Sequence, residues 1–173
     1  MTDAPLTPAR LWKQLTSGQR IAAARAFWLE ESATDDQIQA VMLIAQQKKF
    51  RPKSVIALDI DRKAKQLASI VNLPETLAAR ALITYHLAAQ RPLMGSFLDA
   101  LGIAHENGVI QEEQVVPDKE KLAPAAARIA EQYPAEDVGL YLNTLLCQDP
   151  QTWGGLSDIV KDMVSAASSA SDG

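Results

Sequence analysis

The sequence predicts an all-α fold, a compact domain of about eight or nine short to medium helices. Apolar residues recur at spacings of three and four through most of the chain, and Thr, Ser, Asp and Pro stand where helices would begin. The apolar fraction of 47% is mainly aliphatic, with three Trp, three Tyr and three Phe, and the chain has eight Gly. This composition favours helices packed through small side chains and argues against a β-sandwich, which needs many glycine-rich turns.

The length predicts how the chain is divided. A chain of 173 residues fits one domain with a core large enough to need no disulfide. We expect residues 1–164 to form a single helical domain. Residues 165–173 contain only Ser, Ala, Asp and Gly, and we expect them to form a flexible tail.

Residues able to cap a helix stand where the first three helices would begin. Thr7 is placed to cap a helix that has Pro8 in its first position, and Ser17 to cap a second helix. Thr34 and Gln37 have the spacing of a capping box for the third helix. The apolar face of that third helix is predicted at Ile38, Val41, Met42 and Ala45.

Prolines divide the middle of the chain into further helices. Pro52 opens a fourth helical segment, and Pro74 opens a helix that runs to about Gln90. The helix from Pro74 is apolar nearly all round, which predicts a central position. Pro92 begins the next helix, and Gly102 is predicted to end it in a left-handed conformation.

Residues 103–117 form the longest stretch without helical periodicity. Asn107 and Gly108 predict a turn, because both residue types tolerate a positive φ. Around this turn we expect an extended segment that covers the core with four apolar side chains, those of Val109, Ile110, Val115 and Val116.

Three helices are predicted after this irregular segment. The first includes Pro124, which fits only near a first turn. The second begins at Pro134, and the third follows an Asp149 cap and Pro150. Gly154 and Gly155 then come where small residues would let helices approach closely.

The chain has one cysteine, Cys147, so an internal disulfide is excluded. It lies in an apolar run, which predicts a buried structural thiol. The first thirty residues lack the unbroken apolar region of a signal peptide, and no apolar stretch is long enough to span a membrane. We therefore expect a cytoplasmic protein that does not associate with membranes.

Charge is distributed unevenly along the sequence. Residues 48–65 contain seven Lys and Arg against two Asp, whereas residues 99–173 contain four basic and thirteen acidic residues, although the net charge of the chain is only −4. The candidate binding residues of the basic segment are Lys48, Lys49, Phe50, Arg51, Lys53, Arg62, Lys63 and Lys65.

Three interpretations of the basic segment stay open. It is a phosphate-binding patch in which Phe50 stacks on a base, or a solvated helix face, or a surface that pairs with the acidic half of the same or another chain. The sequence pI of about 5.2 disfavours a dedicated nucleic-acid-binding domain.

The histidines and carboxylates give little support for an active site. His86 follows an apolar helix face and is predicted to be a core residue. His105 with Glu106 forms a candidate polar site in the irregular segment. Asp59 and Asp61 begin like a metal-binding loop, but no further ligands follow, so one or both of them are expected to cap a helix. We expect no bound metal and no cofactor.

The chain has no nucleotide-binding motif, nucleophile elbow or metal-ligand spacing. The sequence therefore favours a non-enzymatic helical protein-interaction module, an adaptor, regulatory or assembly protein that binds a protein partner or itself. One alternative is a nucleic-acid-binding protein that uses residues 48–65. The other is an enzyme or metal site built around His105.

Overall fold

The computed structural model describes the backbone of residues 6–171 and the side chains of residues 6–163. It confirms the all-α prediction, because the described chain consists of helices and one very short β-hairpin. Contacts divide the chain into an N-terminal unit, Thr7–Ala89, and a C-terminal unit, Gln90–Gly173, which are described separately. A single domain over residues 1–164 stays a prediction, and the side chains of the predicted tail, residues 165–173, lie outside the described residues.

The N-terminal unit contains six α-helices and a 3₁₀ turn. In chain order they are α1 (Pro8–Gln14), α2 (Ser17–Leu29), the 3₁₀ turn (Glu31–Ala33), α3 (Thr34–Lys48), α4 (Pro52–Ile56), α5 (Ile60–Ala68) and α6 (Glu75–Ala89). Helix α2 packs against α5 and α6, and α6 also contacts α1 and α3. The apolar helix α6 is therefore central to this unit, as its sequence predicts.

Buried polar contacts join the first helices to the end of α5. Trp12 is fully buried, and its indole N–H donates to the Ile70 carbonyl at 2.9 Å. The Arg20 guanidinium donates to the carbonyls of Leu15 at 2.8 Å and Ala68 at 3.1 Å. These bonds satisfy carbonyl groups near helix ends, which have no partner within their own helices.

The capping box predicted at the start of α3 is wrong. Thr34 already has helical backbone angles, φ −53° and ψ −47°, because the 3₁₀ turn precedes it, whereas a capping residue needs an extended backbone. Its hydroxyl donates instead to the Glu31 carbonyl. The Gln37 amide donates to the carbonyls of Phe27, Trp28 and Glu30, so it caps the end of α2. A capping box does form one helix earlier, between Thr16 and Gln19, and Thr16 takes the place predicted for Ser17.

The predicted apolar face of α3 is half wrong. Val41 and Ala45 are buried, but Ile38 is 58% exposed and Met42 is 55% exposed. The buried residues share the side of α3 that contacts α4, α5 and α6, whereas Ile38 and Met42, four residues apart, lie along the exposed edge of that side. Helical spacing identified all four apolar residues, but only the packing of α3 decided that Val41 and Ala45 are buried and that Ile38 and Met42 are exposed.

The C-terminal unit contains five helices and the hairpin. In chain order they are α7 (Arg91–Leu101), β1 (His105–Glu106), β2 (Val109–Ile110), α8 (Lys119–Gln132), α9 (Ala135–Gln148), α10 (Pro150–Trp153) and α11 (Leu156–Ser171). Helix α7 packs against α8, and α11 contacts both α8 and α9. The buried Phe97 ring meets the rings of Tyr141 and Trp153 at the centre of this unit.

The described chain has eleven α-helices rather than eight or nine, because two predicted helices are each divided. Asp59 caps a new helix after α4, and the Gly154–Gly155 pair separates α10 from α11. A Cβ atom at Gly155 would lie 2.7 Å from Leu122 Cδ1, so the glycine lets α11 approach α8 closely, as predicted. Pro124 lies inside α8, one turn later than predicted, since the helix begins at Lys119.

The predicted turn at Asn107 and Gly108 is present. Both residues have a positive φ, 53° and 88°, and they connect β1 to β2. The expectation that the flanking valines cover the core is wrong in part, because Val109 is exposed and Val116 is 92% exposed. The segment after β2 runs over the surface of the unit, where its backbone is solvated.

The two buried tryptophans of the N-terminal unit are expected to respond differently to replacement by Phe. Trp12→Phe leaves the buried Ile70 carbonyl without its donor and should destabilise the protein by about 1–3 kcal/mol. The Trp28 indole N–H is buried with no hydrogen-bond partner among the described residues, so Trp28→Phe should cost less. Urea unfolding of both variants measures the difference. An equal or larger loss for Trp28→Phe would contradict this account.

Candidate functional site

The basic segment of the sequence is divided into two parts by the fold. In α5, Arg62 pairs with Asp59, with 3.7 Å between Nε and Oδ2, and Lys63 Nζ lies 5.5 Å from the centre of the Trp28 ring. Asp61 in the same helix pairs with Arg25 of α2. Lys65 is exposed. Most charged side chains of α5 therefore already interact with other groups of the N-terminal unit.

The other part forms a surface at the end of α3, which we call the basic surface. All of its side chains are exposed. No carboxylate of the described residues lies within ion-pair distance of its four cations. The basic surface consists of Lys48, Lys49, Phe50, Arg51 and Lys53.

Local backbone geometry produces this exposure. Lys49 ends α3 in the left-handed conformation, with φ 58°, and the N–H groups of Lys49 and Phe50 both bond to the Ala45 carbonyl. Arg51 is extended, as the residue before a proline prefers, and Pro52 then begins α4. The chain thus turns sharply between two helices, and the side chains of the turn remain in solvent.

Exposed apolar side chains also lie on α3, the helix that ends at the basic surface. Ile38 and Met42 occupy the solvent side of α3, and Phe50 at its end is 42% exposed. Met42 is about 10 Å along the helix from the C-terminal end of α3, at 1.5 Å per residue. The solvent side of α3 therefore combines exposed apolar groups with unpaired cations at one end. We call this combination, Ile38 and Met42 with the basic surface, the α3 face.

The C-terminal unit has a cleft of about 480 Å³ between the segment that follows β2 and helix α10. Its apolar lining includes Ile110, Val115 and the buried Trp153 ring, and exposed Glu112 and Glu113 stand at its edge. We call this the acidic cleft. Sequence analysis recorded the negative charge of this half of the chain but did not find the cleft, because its two walls are about forty residues apart in sequence.

Asp149 adds a third carboxylate to the acidic cleft. It caps α10 and accepts a hydrogen bond from the Thr152 hydroxyl at 2.5 Å and another from the Thr152 N–H at 3.2 Å. These bonds, the hydroxyl first, hold the pKa of Asp149 below its usual value. Asp149 therefore stays ionised to a lower pH than an ordinary aspartate does.

His105, the centre of the candidate polar site, makes two hydrogen bonds within the C-terminal unit. Gly108 N–H donates to His105 Nδ1 at 3.0 Å, so Nδ1 is an acceptor and the ring proton lies on Nε2. Nε2 is 2.7 Å from Asp99 Oδ1 and donates to it. Both ring nitrogens are thus engaged in hydrogen bonds within the C-terminal unit. The carboxylate that meets His105 is Asp99, while Glu106 is exposed.

Two glycines let the hairpin lie close to α7. A Cβ atom at Gly95 would be 3.2 Å from His105 Cε1, and one at Gly108 would be 2.9 Å from Met94 Cβ. Arg91 Nη1 also donates to the Asn107 carbonyl at 3.0 Å. His105 therefore links the hairpin to α7 through its bond to Asp99. This contact could not be predicted, because nothing in the sequence pairs His105 with Asp99.

The other chemically reactive side chains are in the core. His86 is buried, and its Nδ1 donates to the Leu82 carbonyl at 2.8 Å. Cys147 is buried, and its thiol donates to the Thr144 carbonyl at 3.4 Å. Burial raises the pKa of the Tyr141 hydroxyl. The predictions of a core histidine and a buried thiol are both confirmed.

Two further properties of the described part of the chain concern metals and membranes. No group of three or more His, Cys, Asp and Glu side chains is placed to hold a metal ion there. No helix in that part is long and apolar enough to cross a bilayer. Comparisons of the chain with protein-family models, with curated proteins and with solved structures give no match.

Replacing His105 should loosen the hairpin. His105→Ala removes both ring hydrogen bonds and should destabilise the protein by about 1–2 kcal/mol, with faster hydrogen exchange at the Gly108 amide. Asp99→Asn keeps an oxygen that accepts from Nε2, so it should cost less. Unfolding and amide exchange measure both effects. Unchanged protection of Gly108 in His105→Ala would refute the contact.

The pKa of Asp149 should depend on Thr152. Because this pKa is lowered in the folded protein, the stabilisation by the cap is present above the ordinary carboxyl pKa and is lost as pH falls through the lowered value. Thr152→Val removes the hydroxyl donor but keeps the backbone N–H, so the pKa of Asp149 should rise part of the way to its usual value. A carbon-13 NMR titration measures it, and an unchanged midpoint would show that another group lowers the pKa.

Proposed function

We propose that this chain is a non-enzymatic protein-interaction module that binds its partner through the α3 face. The observation that carries the proposal is the combination of unpaired, exposed cations with Phe50 and with the exposed Ile38 and Met42. Aromatic residues, Met and Arg are enriched at protein interfaces, whereas purely solvated faces seldom present large apolar side chains together.

Each part of this face contributes differently to binding. Burying Ile38 or Met42 fully would contribute about 1.5–3 kcal/mol per side chain before the costs of association. The cations mainly raise the association rate and exclude partners of the wrong charge. The partner we propose is therefore a protein surface with exposed carboxylates around an apolar centre.

A protein partner explains the face better than a nucleic acid. A phosphate backbone would use the four cations and stack a base on Phe50, but it would leave Ile38 and Met42 in water. The chain as a whole is also negatively charged, −4, which disfavours nonspecific binding to nucleic acid. An enzyme centred on His105 is not favoured, because Gly108 and Asp99 occupy both ring nitrogens.

The proposal includes a cytoplasmic location. Its support is that the chain has a single cysteine and therefore folds without an internal disulfide. In that compartment the module would act as an adaptor, regulatory or assembly component.

The test compares three variants of the full chain. Lys49→Gln/Arg51→Gln/Lys53→Gln removes charge from the α3 face, and Ile38→Gln/Met42→Gln removes its apolar groups. Lys119→Gln/Lys121→Gln/Arg128→Gln makes the same change of charge at exposed positions of α8. We expect both α3-face variants, but not the α8 control, to bind partner proteins from nuclease-treated lysate at least about tenfold more weakly.

The same variants separate a protein partner from a nucleic acid. If RNA or DNA oligonucleotides bind at low salt, and only the Lys49/Arg51/Lys53 variant loses that binding, the surface is a nucleic-acid site and the proposal is wrong. Equal recovery of partners by all three variants would also refute it. Because every substituted side chain is exposed, circular dichroism should show unchanged helix content in each variant.

A further inference from the structure

We propose that the partner of the α3 face is a second copy of this chain, whose acidic cleft receives the basic surface. The inference rests on the proposed function and names the partner for the same site. It predicts a heterologous contact, in which one copy contributes the basic surface and the other contributes the cleft.

Charge is separated between the two units of the fold. The N-terminal unit has twelve Lys and Arg against seven Asp and Glu, a net charge of +5. Residues 90–173 of the C-terminal unit have five basic and thirteen acidic residues, a net charge of −8. Each copy therefore carries a positive and a negative partner surface, and opposite units of two copies attract each other.

The two surfaces also carry complementary groups. In the basic surface, Phe50 stands between Lys49 and Arg51 in sequence, and all three side chains are exposed. The acidic cleft presents an apolar lining, including Val115, together with the carboxylates of Glu112 and Glu113. An aromatic ring accompanied by two cations would therefore meet an apolar hollow accompanied by carboxylates. The cleft volume, about 480 Å³, is in the range of pockets that hold a small ligand.

Two features of the cleft favour an occupant that covers it. Val116 at its lining is 92% exposed, so a docked side chain would remove apolar area from water. Asp149 at the same cleft is ionised at neutral pH like an ordinary aspartate, and two hydrogen bonds from Thr152 hold its carboxylate in place. An occupant with both an apolar group and cations would cover Val116 and pair with the carboxylates of the cleft. A simple cation would pair with the carboxylates but leave Val116 exposed.

The alternative contact, two basic surfaces facing each other across a two-fold axis, is disfavoured by charge. Such a dimer would bring eight like charges together with no carboxylate between them. A head-to-tail contact instead leaves one free basic surface and one free acidic cleft at the ends of each complex. Further copies then add until the assembly closes as a ring or grows as a chain. Because the paired charges are exposed, association should weaken as salt rises.

The experiment uses two variants of the full chain that each remove one surface. Lys49→Gln/Arg51→Gln/Lys53→Gln removes three of the four cations of the basic surface and keeps the acidic cleft. Glu112→Gln/Glu113→Gln removes carboxylates of the cleft and keeps the basic surface. Glu131→Gln/Glu136→Gln is the matched acidic control, at exposed positions of α8 and α9 outside the cleft lining. Sedimentation velocity at low ionic strength over a range of concentrations measures the size of the assemblies.

We expect the wild-type chain and the acidic control to form concentration-dependent assemblies that dissociate in high salt. Each surface variant alone should associate at least tenfold more weakly. An equimolar mixture of the two variants should form a one-to-one complex and nothing larger, because only one complementary pair of surfaces remains. Recovery of binding in the mixture is specific to a heterologous contact. If each variant had failed to associate because it was unstable, mixing the two would not restore binding.

Three results would overturn the inference. They are a wild-type chain that stays monomeric at low salt, a cleft variant that assembles like the wild type, and a mixture that forms no complex. If any of these occurs while protein partners still require the α3 face, the module binds a different protein and the proposed function stands. If partner binding is also independent of that face, both proposals fall.

Discussion

Short helices have many ends, and each end leaves backbone N–H or C=O groups that need partners from elsewhere in the chain. In the described residues, Thr7, Thr16, Asp59, Asp118 and Asp149 supply side-chain caps at helix starts. Longer side chains also bond to helix ends from other helices. The Gln37 amide on α3 caps the end of α2. The Arg20 guanidinium on α2 donates to carbonyls at the ends of α1 and α5. The positions of the helices depend on these bonds.

The same requirement shapes both proposed surfaces. At the end of α3, Lys49 adopts a left-handed conformation so that the last carbonyls are bonded, and the following side chains are left in solvent. At the start of α10, Asp149 caps the helix, and its carboxylate thereby becomes part of the acidic cleft. In α5, by contrast, Asp59 and Asp61 pair with nearby arginines. Asp59 and Asp149 both cap a helix, and the presence or absence of a nearby arginine decides whether the charge is paired within the fold.

His105 illustrates how a candidate catalytic residue acquires a structural role. A histidine in a turn-rich segment beside a glutamate has the composition of a polar site. The chemistry of a histidine depends on the hydrogen bonds of its two ring nitrogens. In His105 these bonds are to the Gly108 amide and the Asp99 carboxylate. The His105 ring is bonded at both nitrogens and packs against α7 at Gly95, where there is no side chain in the way. It thereby positions the hairpin and the segment after β2 that lines the acidic cleft.

Features that depend on a few neighbouring residues were predictable from the sequence. They include the helix begun by Thr7 and Pro8, the turn at Asn107 and Gly108, and the uneven charge, because capping, positive φ and composition are local properties. Tertiary structure alone decided that α3 buries Val41 rather than Met42, that Asp99 meets His105, and that residues about forty apart form the acidic cleft. Those outcomes depend on which elements pack together, and helical periodicity shows only that a face exists, not what covers it.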